Sequence, residues 1–503
     1  MIAKSNKIFL ALTATLAMLL SMVLGASAAY AAPIGNPTQI DPDANTTLVI
    51  HKVEQPHDFG LPADGLPIDN PAELPPPVQG ANFTATLVPG INITTYAGWQ
   101  QATEMTIADA HARITWEKPV ASGTTDVNGL LHFDLKVGLY YIDEVSVPAG
   151  VVAAEPFLAV LPMNAPETSD WLYSVHAYPK NPRVSVDIGV YDCKAVRLGD
   201  TVSWTSNSDI PRKTEIDGYV VQNIIVPELL LTDRAEQVGV KLQGKNAPKL
   251  ESKDFKTTVI TVDGKETIAV EFTATGRAKL AKAKELDPSA NVEISYNTSV
   301  LGEGAHVNEV RLFADLRAIN GTTPPVTDEA VTKWGPLSVV VHEYNKPANL
   351  IEGARFKLYL TEADAIAGVN QIEVEGISEW QTDEQGRLII PGLRFSNFAN
   401  GLDLPKTAGC YQIYWAMPTF IPAEWQWVNN KPLAGEVNST VDFETLIFEV
   451  EKTDTPVPPV DPEKPVKPEI PVTGGQVTGT ILLAGVLLAG GTILLMRRTR
   501  KES

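Results

Sequence analysis

With only two cysteines in 503 residues, this chain has no disulfide framework, so its domains must hold by core burial or by another covalent device. Histidine is nearly as scarce, at 7, and none pairs with a serine or cysteine that could act as a nucleophile. The chain has no Gly-x-Ser-x-Gly elbow, phosphate loop or zinc-protease helix. Basic residues are short as well. Lys and Arg number 40 against 60 Asp and Glu, a net charge of −20, which excludes a nucleic-acid or anionic-membrane surface built from basic patches. His51 and His57 have a metal-like spacing but fall on a strand and in a loop. Asp41-Pro42-Asp43-Ala44-Asn45 lacks the glycine and distant glutamate of a calcium loop. We expect no metal, no cofactor and no enzyme activity.

The length implies two to four domains. At the start, Lys4 and Lys7 precede an apolar run from Ile8 to Leu24, and Ala29-Tyr30-Ala31 offers a small-residue cleavage site; residues 1–31 read as a secretory signal. From Thr46 the pattern becomes period-two, with Leu48, Ile50 and Lys52 on one face. An order of features then appears twice. Thr125-Asp126-Val127-Asn128-Gly129 returns as Thr382-Asp383-Glu384-Gln385-Gly386. The Phe83 and Phe356 segments, and Tyr140–Glu144 and Cys410–Trp415, hold matching places. This is an internal repeat of one β module with Asp-x-x-Gly turns. Between the copies lies a different strand-rich stretch, with a Lys/Ala-rich segment at Gly276–Leu286 that suits a short helix.

The C-terminal end has its own sequence of features. Thr453–Glu469 is proline-rich and charged, hence extended. Ile470-Pro471-Val472-Thr473-Gly474 follows. Val477–Met496 then runs without a charge, and about 20 such residues cross a bilayer as a helix. Arg497, Arg498, Arg500 and Lys501 place the far end inside.

Two motifs carry a resemblance. Trp171–Asn181, WLYSVHAYPKN, is similar to the W-x-x-x-V-x-V-Y-P-K-N motif of Gram-positive major pilins, with Trp171, Val175, Tyr178, Pro179 and Lys180 in place and Ala177 for the second valine. Ile470–Gly474 is similar to the L-P-x-T-G sorting signal. The chain thus resembles a sortase-assembled shaft pilin of SpaA-like type, with CNA-B modules as its first and third domains. In that family a sortase cuts between Thr and Gly and joins the threonine carbonyl to the motif lysine of the next subunit. The resemblance implies cleavage and acyl donation at Thr473–Gly474, recognised through Ile470 and Pro471, with Lys180 as acceptor.

CNA-B modules often carry a self-made amide between a lysine and an asparagine, assisted by a buried acid. Lys52, Glu144 and Asn181 are the candidates here. Burial lowers a lysine pKa and raises that of an acid, leaving a nucleophilic amine and a proton shuttle. A buried Lys52–Glu144 ion pair without the bond is the alternative. Aligning Ile50-His51-Lys52 with Val341-His342-Glu343 puts Glu343 at the lysine place of the third module and Trp415 at the acid place, so no bond is expected there, and Glu343 could pair with Lys452. In the middle module Asn308 lacks an acid, and Lys194 is its nearest amine. Cys193 and Cys410 fall in different modules. Because an internal bridge needs Cα atoms within about 7 Å, the expectation is two free thiols, or a disulfide between neighbouring copies.

The expected architecture is all-β, with three tandem immunoglobulin-like sandwiches at residues 32–182, 183–333 and 334–454, a linker at 455–469 and the sorting signal at 470–503. The resemblance implies a secreted, cell-wall-anchored fimbrial shaft whose membrane span is transient. Its partners would be other copies of the chain, pilus-class and housekeeping sortases, peptidoglycan, minor pilins and host receptors. A monomeric wall-anchored adhesin is the second reading.

Overall fold

The structure, a computed structural model, describes residues 35–55, 64–68, 70, 74–166, 168–441 and 443–453. The secretory segment, the proline-rich linker and the sorting signal with its apolar run lie outside these residues. Strand makes up 46% of the structure and helix 11%. The molecule is all-β, with several sheets in immunoglobulin-like sandwiches.

The first strand, Asn45–His51, is central to a three-stranded sheet. It pairs antiparallel with Leu130–Lys136 and parallel with Ser174–Ala177. The period-two pattern sends Leu48 and Ile50 into the core, both fully buried, where each contributes about 1.5–3 kcal/mol. Facing them is a four-stranded sheet ordered Ala121–Thr124, Asn82–Leu87, Gly138–Ser146, Phe157–Leu161. Phe83, Phe133, Tyr140 and Ile142 fill the space between. The first half of Gly138–Ser146, residues 139–142, is apolar on both faces. Its second face, with Leu139 and Tyr141, is covered by Trp99 and Ala110 of two helices, Tyr96–Glu104 and Ile107–Ile114. Thr95 and Thr106 cap them through their hydroxyls.

In the middle of the chain, residues 202–209 of strand Thr201–Asp209 and all of Asn291–Val300 alternate strictly between buried and half-exposed positions, the pattern of strands with one covered face. Ala274–Leu286 is a helix capped by Thr273, as its composition predicts. Val326–Glu343 is an 18-residue strand. Its first half pairs with Gly304–Phe313. Its second half pairs with Arg387–Arg394 on one side and, in parallel, with Thr445–Lys452 on the other. Middle and C-terminal sandwiches therefore share a strand and one continuous apolar core.

The cysteines overturn the expectation of free thiols and of a bridge between copies. Cys193 and Cys410 are bonded to each other within one chain, with Cα atoms 5.2 Å apart. A simple tandem order would leave the start of the middle sandwich far from the third. However, strand Val186–Tyr191 first runs the length of the middle sandwich, so the loop after it, with Cys193, reaches the C-terminal side. There Arg394 N–H bonds to the Val196 carbonyl and Leu198 N–H to that of Gly392. The Arg394 guanidinium, fully buried, donates to the carbonyls of Ala195 (2.9 Å) and Cys410 (2.8 Å). Removing the bridge by Cys193→Ser with Cys410→Ser is expected to cost about 2–4 kcal/mol, read as a lower melting temperature. Non-reducing gels of the unaltered chain should show no disulfide-linked dimer, and a dimer band lost on reduction would restore the bridge between copies.

Candidate functional site

The site grows from the register of two parallel strands. Ile50 stands opposite Ala177, and the same register continues to Val53 opposite Lys180 and Glu54 opposite Asn181. Successive strand residues face opposite ways. Lys52 and Asn181 therefore turn inward together, while Lys180 turns outward.

Inward, the three residues expected to act together are in contact. Lys52, Glu144 and Asn181 are all buried. Lys52 Nζ lies 3.1 Å from Glu144 Oε1 and donates to Asn181 Oδ1, one bond away from the carbon that an amine would attack. Asn181 Nδ2 donates to both Glu144 oxygens, at 3.1 and 3.0 Å. The carboxylate thus bridges the nucleophile and the leaving amide nitrogen. Burial pushes the Lys52 ammonium down to about 8; Glu144 opposes this, and Arg317 adds to it. The Phe83 ring lies 5.6 Å from Lys52 Nζ. Two contributors carry no sequence signal of this role. Ala154 donates its backbone N–H to Glu144 Oε2 at 2.6 Å, and a backbone donor leaves no mark in a sequence. Gly129, at φ +72°, passes so close to the Lys52 carbonyl that a Cβ would sit 2.2 Å from it. Only glycine fits that turn.

Outward, Lys180 is half-buried, and among the described residues its ammonium has no hydrogen bond or ion pair. Its neighbours on the motif strand are held firmly. The Tyr178 ring stacks on His51 at 4.5 Å, and its hydroxyl accepts from Ile68 N–H at 2.7 Å. Pro179 gives its carbonyl to Val53 N–H. Val175 is buried beneath the strand. Trp171 packs edge-on against Trp99 at 4.7 Å. His51 Nε2 meets His176 Nδ1 at 2.8 Å; burial first, then His176 and His132, push His51 down to about 4. His57, and the expected donor residues Ile470, Pro471, Thr473 and Gly474, lie outside the described residues.

The two repeat copies superpose in their bonding, and this corrects the sequence alignment by two residues. Thr125 Oγ1 accepts from Ala81 N–H and Thr382 Oγ1 from Ala354 N–H, both at 3.0 Å. Val78 N–H reaches the Lys52 carbonyl, and Ile351 N–H reaches that of Val341. The counterpart of Lys52 is thus Val341, not Glu343. Pairing opposite Phe83 and Phe356 makes Pro418, not Trp415, the counterpart of Glu144. By the parallel register, Val450 stands for Asn181. Three buried apolar residues leave no chemistry for an amide. Glu343 pairs with Lys346 at 2.7 Å rather than with Lys452, whose ammonium lies over the Trp425 ring. In the middle sandwich Asn308 is buried and accepts from Val226 N–H at 3.1 Å, while Lys194 is exposed.

Residues 43–182 match the family described as the Gram-positive pilin subunit D1, N-terminal domain. The chain is 27% identical over 524 aligned positions to the type 1 fimbrial subunit of Actinomyces viscosus, covering 95% of this chain and 96% of that one. Among solved structures it is similar to the major pilin SpaD of Corynebacterium diphtheriae, with TM-score 0.60, 22% identity and coverage of 83% and 100%. It is also similar to SpaA of the same organism, with TM-score 0.62, 21% identity and coverage of 81% and 100%. The resemblance carried by the two motifs extends to the fold.

Proposed function

We propose that this chain, which resembles Gram-positive fimbrial subunits along nearly its whole length and matches their N-terminal domain at residues 43–182, is the repeating structural subunit of a covalent fimbrial shaft. It is a building block and not an enzyme. The chemistry comes from a sortase. The Thr473–Gly474 peptide bond breaks, and the Thr473 carbonyl carbon passes to Nζ of Lys180 on another copy. Lys180 loses a proton, and the fragment from Gly474 onward leaves as a free amine. One amide replaces another, so no oxidant or energy donor is consumed. The last subunit is handed to peptidoglycan in the same way.

The observation that carries this reading is the division of labour between two adjacent residues. Asn181 is locked inward against Lys52 and Glu144, and this holds Lys180 outward at the end of a fixed strand, its amine without a partner among the described residues. Within the core, Lys52 attacks Asn181, Glu144 carries protons, ammonia leaves, and the first strand is bonded to the last. Proteolysis of surface polymer followed by mass spectrometry is expected to yield a branched peptide joining Thr473 to Lys180. Polymer whose Lys180 peptides all carry a free amine would overturn the reading.

A further inference from the structure

In a shaft joined as proposed above, tension enters each subunit at Lys180 and leaves at Thr473, so the residues before Lys180 hang beside the load. The Lys52–Asn181 pair touches this path only at its first step. Beyond it the path runs through the middle and C-terminal sandwiches, where neither amide set is complete. Asn308 accepts from the Val226 N–H and donates to the Tyr296 hydroxyl, with no amine among its hydrogen-bond partners in the described residues, and Val341, Pro418 and Val450 hold the three places in the last module. One covalent staple remains on the path among the described residues, Cys193–Cys410, with a sequence separation of 217.

We propose that this disulfide carries the tension through the subunit, a mechanical function distinct from its contribution to stability. Cys193 follows the point of entry by a single strand, Val186–Tyr191. Cys410 precedes the strands that lead to the exit. Force therefore crosses from the loop after that strand to Cys410 through the sulfurs. Every residue between them is bypassed, including the shared strand Val326–Glu343 and the whole helix Ala274–Leu286. The backbone contacts beside the bridge, Leu198 to Gly392 and Arg394 to Val196, hold its two ends together without strain on the bypassed sandwich. With the bridge intact, the segment between Cys193 and Cys410 cannot be drawn out at any force below that which breaks a covalent bond, and only Val186–Tyr191 of the middle sandwich lies on the loaded side.

This inference rests on the shaft reading, and the test separates the two. Single mature chains are held by handles at position 180 and just after Thr473, and stretched with and without a dithiol reductant. An oxidised chain is expected to release only the stretches outside the bridge. The reduced chain should lengthen further by on the order of 700 Å, from 217 residues at about 3.3–3.6 Å each. The C193S/C410S chain should behave as the reduced one. If that double variant does not fold, reduction of the folded unaltered chain at low force gives the same reading. Equal total extension in oxidised and reduced chains would overturn the proposal, whatever the branched-peptide analysis finds. Absence of the branched peptide would remove the shaft reading while leaving the force result to stand on the disulfide.

Discussion

Replacing Lys180 by alanine is expected to abolish high-mass, detergent-resistant ladders on denaturing gels and leave only monomer released from the wall. The effect on folding should be small, within about 0.5 kcal/mol, because the side chain faces outward and engages no partner among the described residues. Lys180→Arg sharpens the test. It keeps the positive charge and the long stem, but a guanidinium with a pKa above about 12 is never a neutral amine in a protein. The arginine variant should therefore fail as completely as the alanine variant. Ladders that persist in arginine but not in alanine would assign Lys180 a binding role instead of a bonding one. Ladders that persist in both would leave a monomeric wall-anchored adhesin, or an acceptor elsewhere.

The second large effect is expected at Glu144. Glu144→Gln keeps the shape of the side chain and removes its capacity to exchange a proton, so Lys52 and Asn181 should stay unjoined. The unaltered mature chain should weigh about 17 Da less than its sequence mass, the ammonia having left, and the variant should match its own sequence mass. Stability should fall for two reasons. The proposed amide would close a span of 129 residues, and losing such a closure costs about 4–5 kcal/mol on the chain-entropy account. An unpaired ammonium left in the core costs about 3–5 kcal/mol more unless it sheds its proton. Together these should lower the melting temperature of the N-terminal region by on the order of 15–40 °C. The rate of bond formation should depend on pH. With Lys52 lowered to about 8, roughly one amine in ten is neutral at pH 7, and the rate should fall about tenfold for each unit below that. An unaltered chain that shows its full sequence mass, with no ammonia missing, would sink the cross-link. An equal deficit in the Glu144→Gln chain would remove Glu144 as its proton carrier.

The Asp-x-x-Gly turns are legible in the sequence because their geometry is local. Asp126 Oδ1 accepts from the N–H groups of Asn128 and Leu130, and Asp383 does the same for Gln385 and Arg387. The two-residue error in matching Lys52 to Glu343 has a physical cause. A strand pattern of period two is unchanged by a slip of two, so Ile-His-Lys and Val-His-Glu look aligned whichever register is correct. The helices Tyr96–Glu104 and Ile107–Ile114 escape a reading of the sequence for a different reason. Each is short, and its evidence is a capping threonine, a weak signal without the sheet it covers.

The sequence by itself determined the alternation that puts Lys52 and Asn181 inside and Lys180 outside, since neighbouring residues on an extended chain must face opposite ways. The expected export and sorting signals are linear patterns too, and they are read from the sequence alone. The tertiary structure alone decided what Lys52 meets, which turn is its roof and that Cys193 meets Cys410. Those are contacts between segments far apart in the chain, fixed by how whole sheets stack and by the strand that two sandwiches share, and no local pattern encodes that distance.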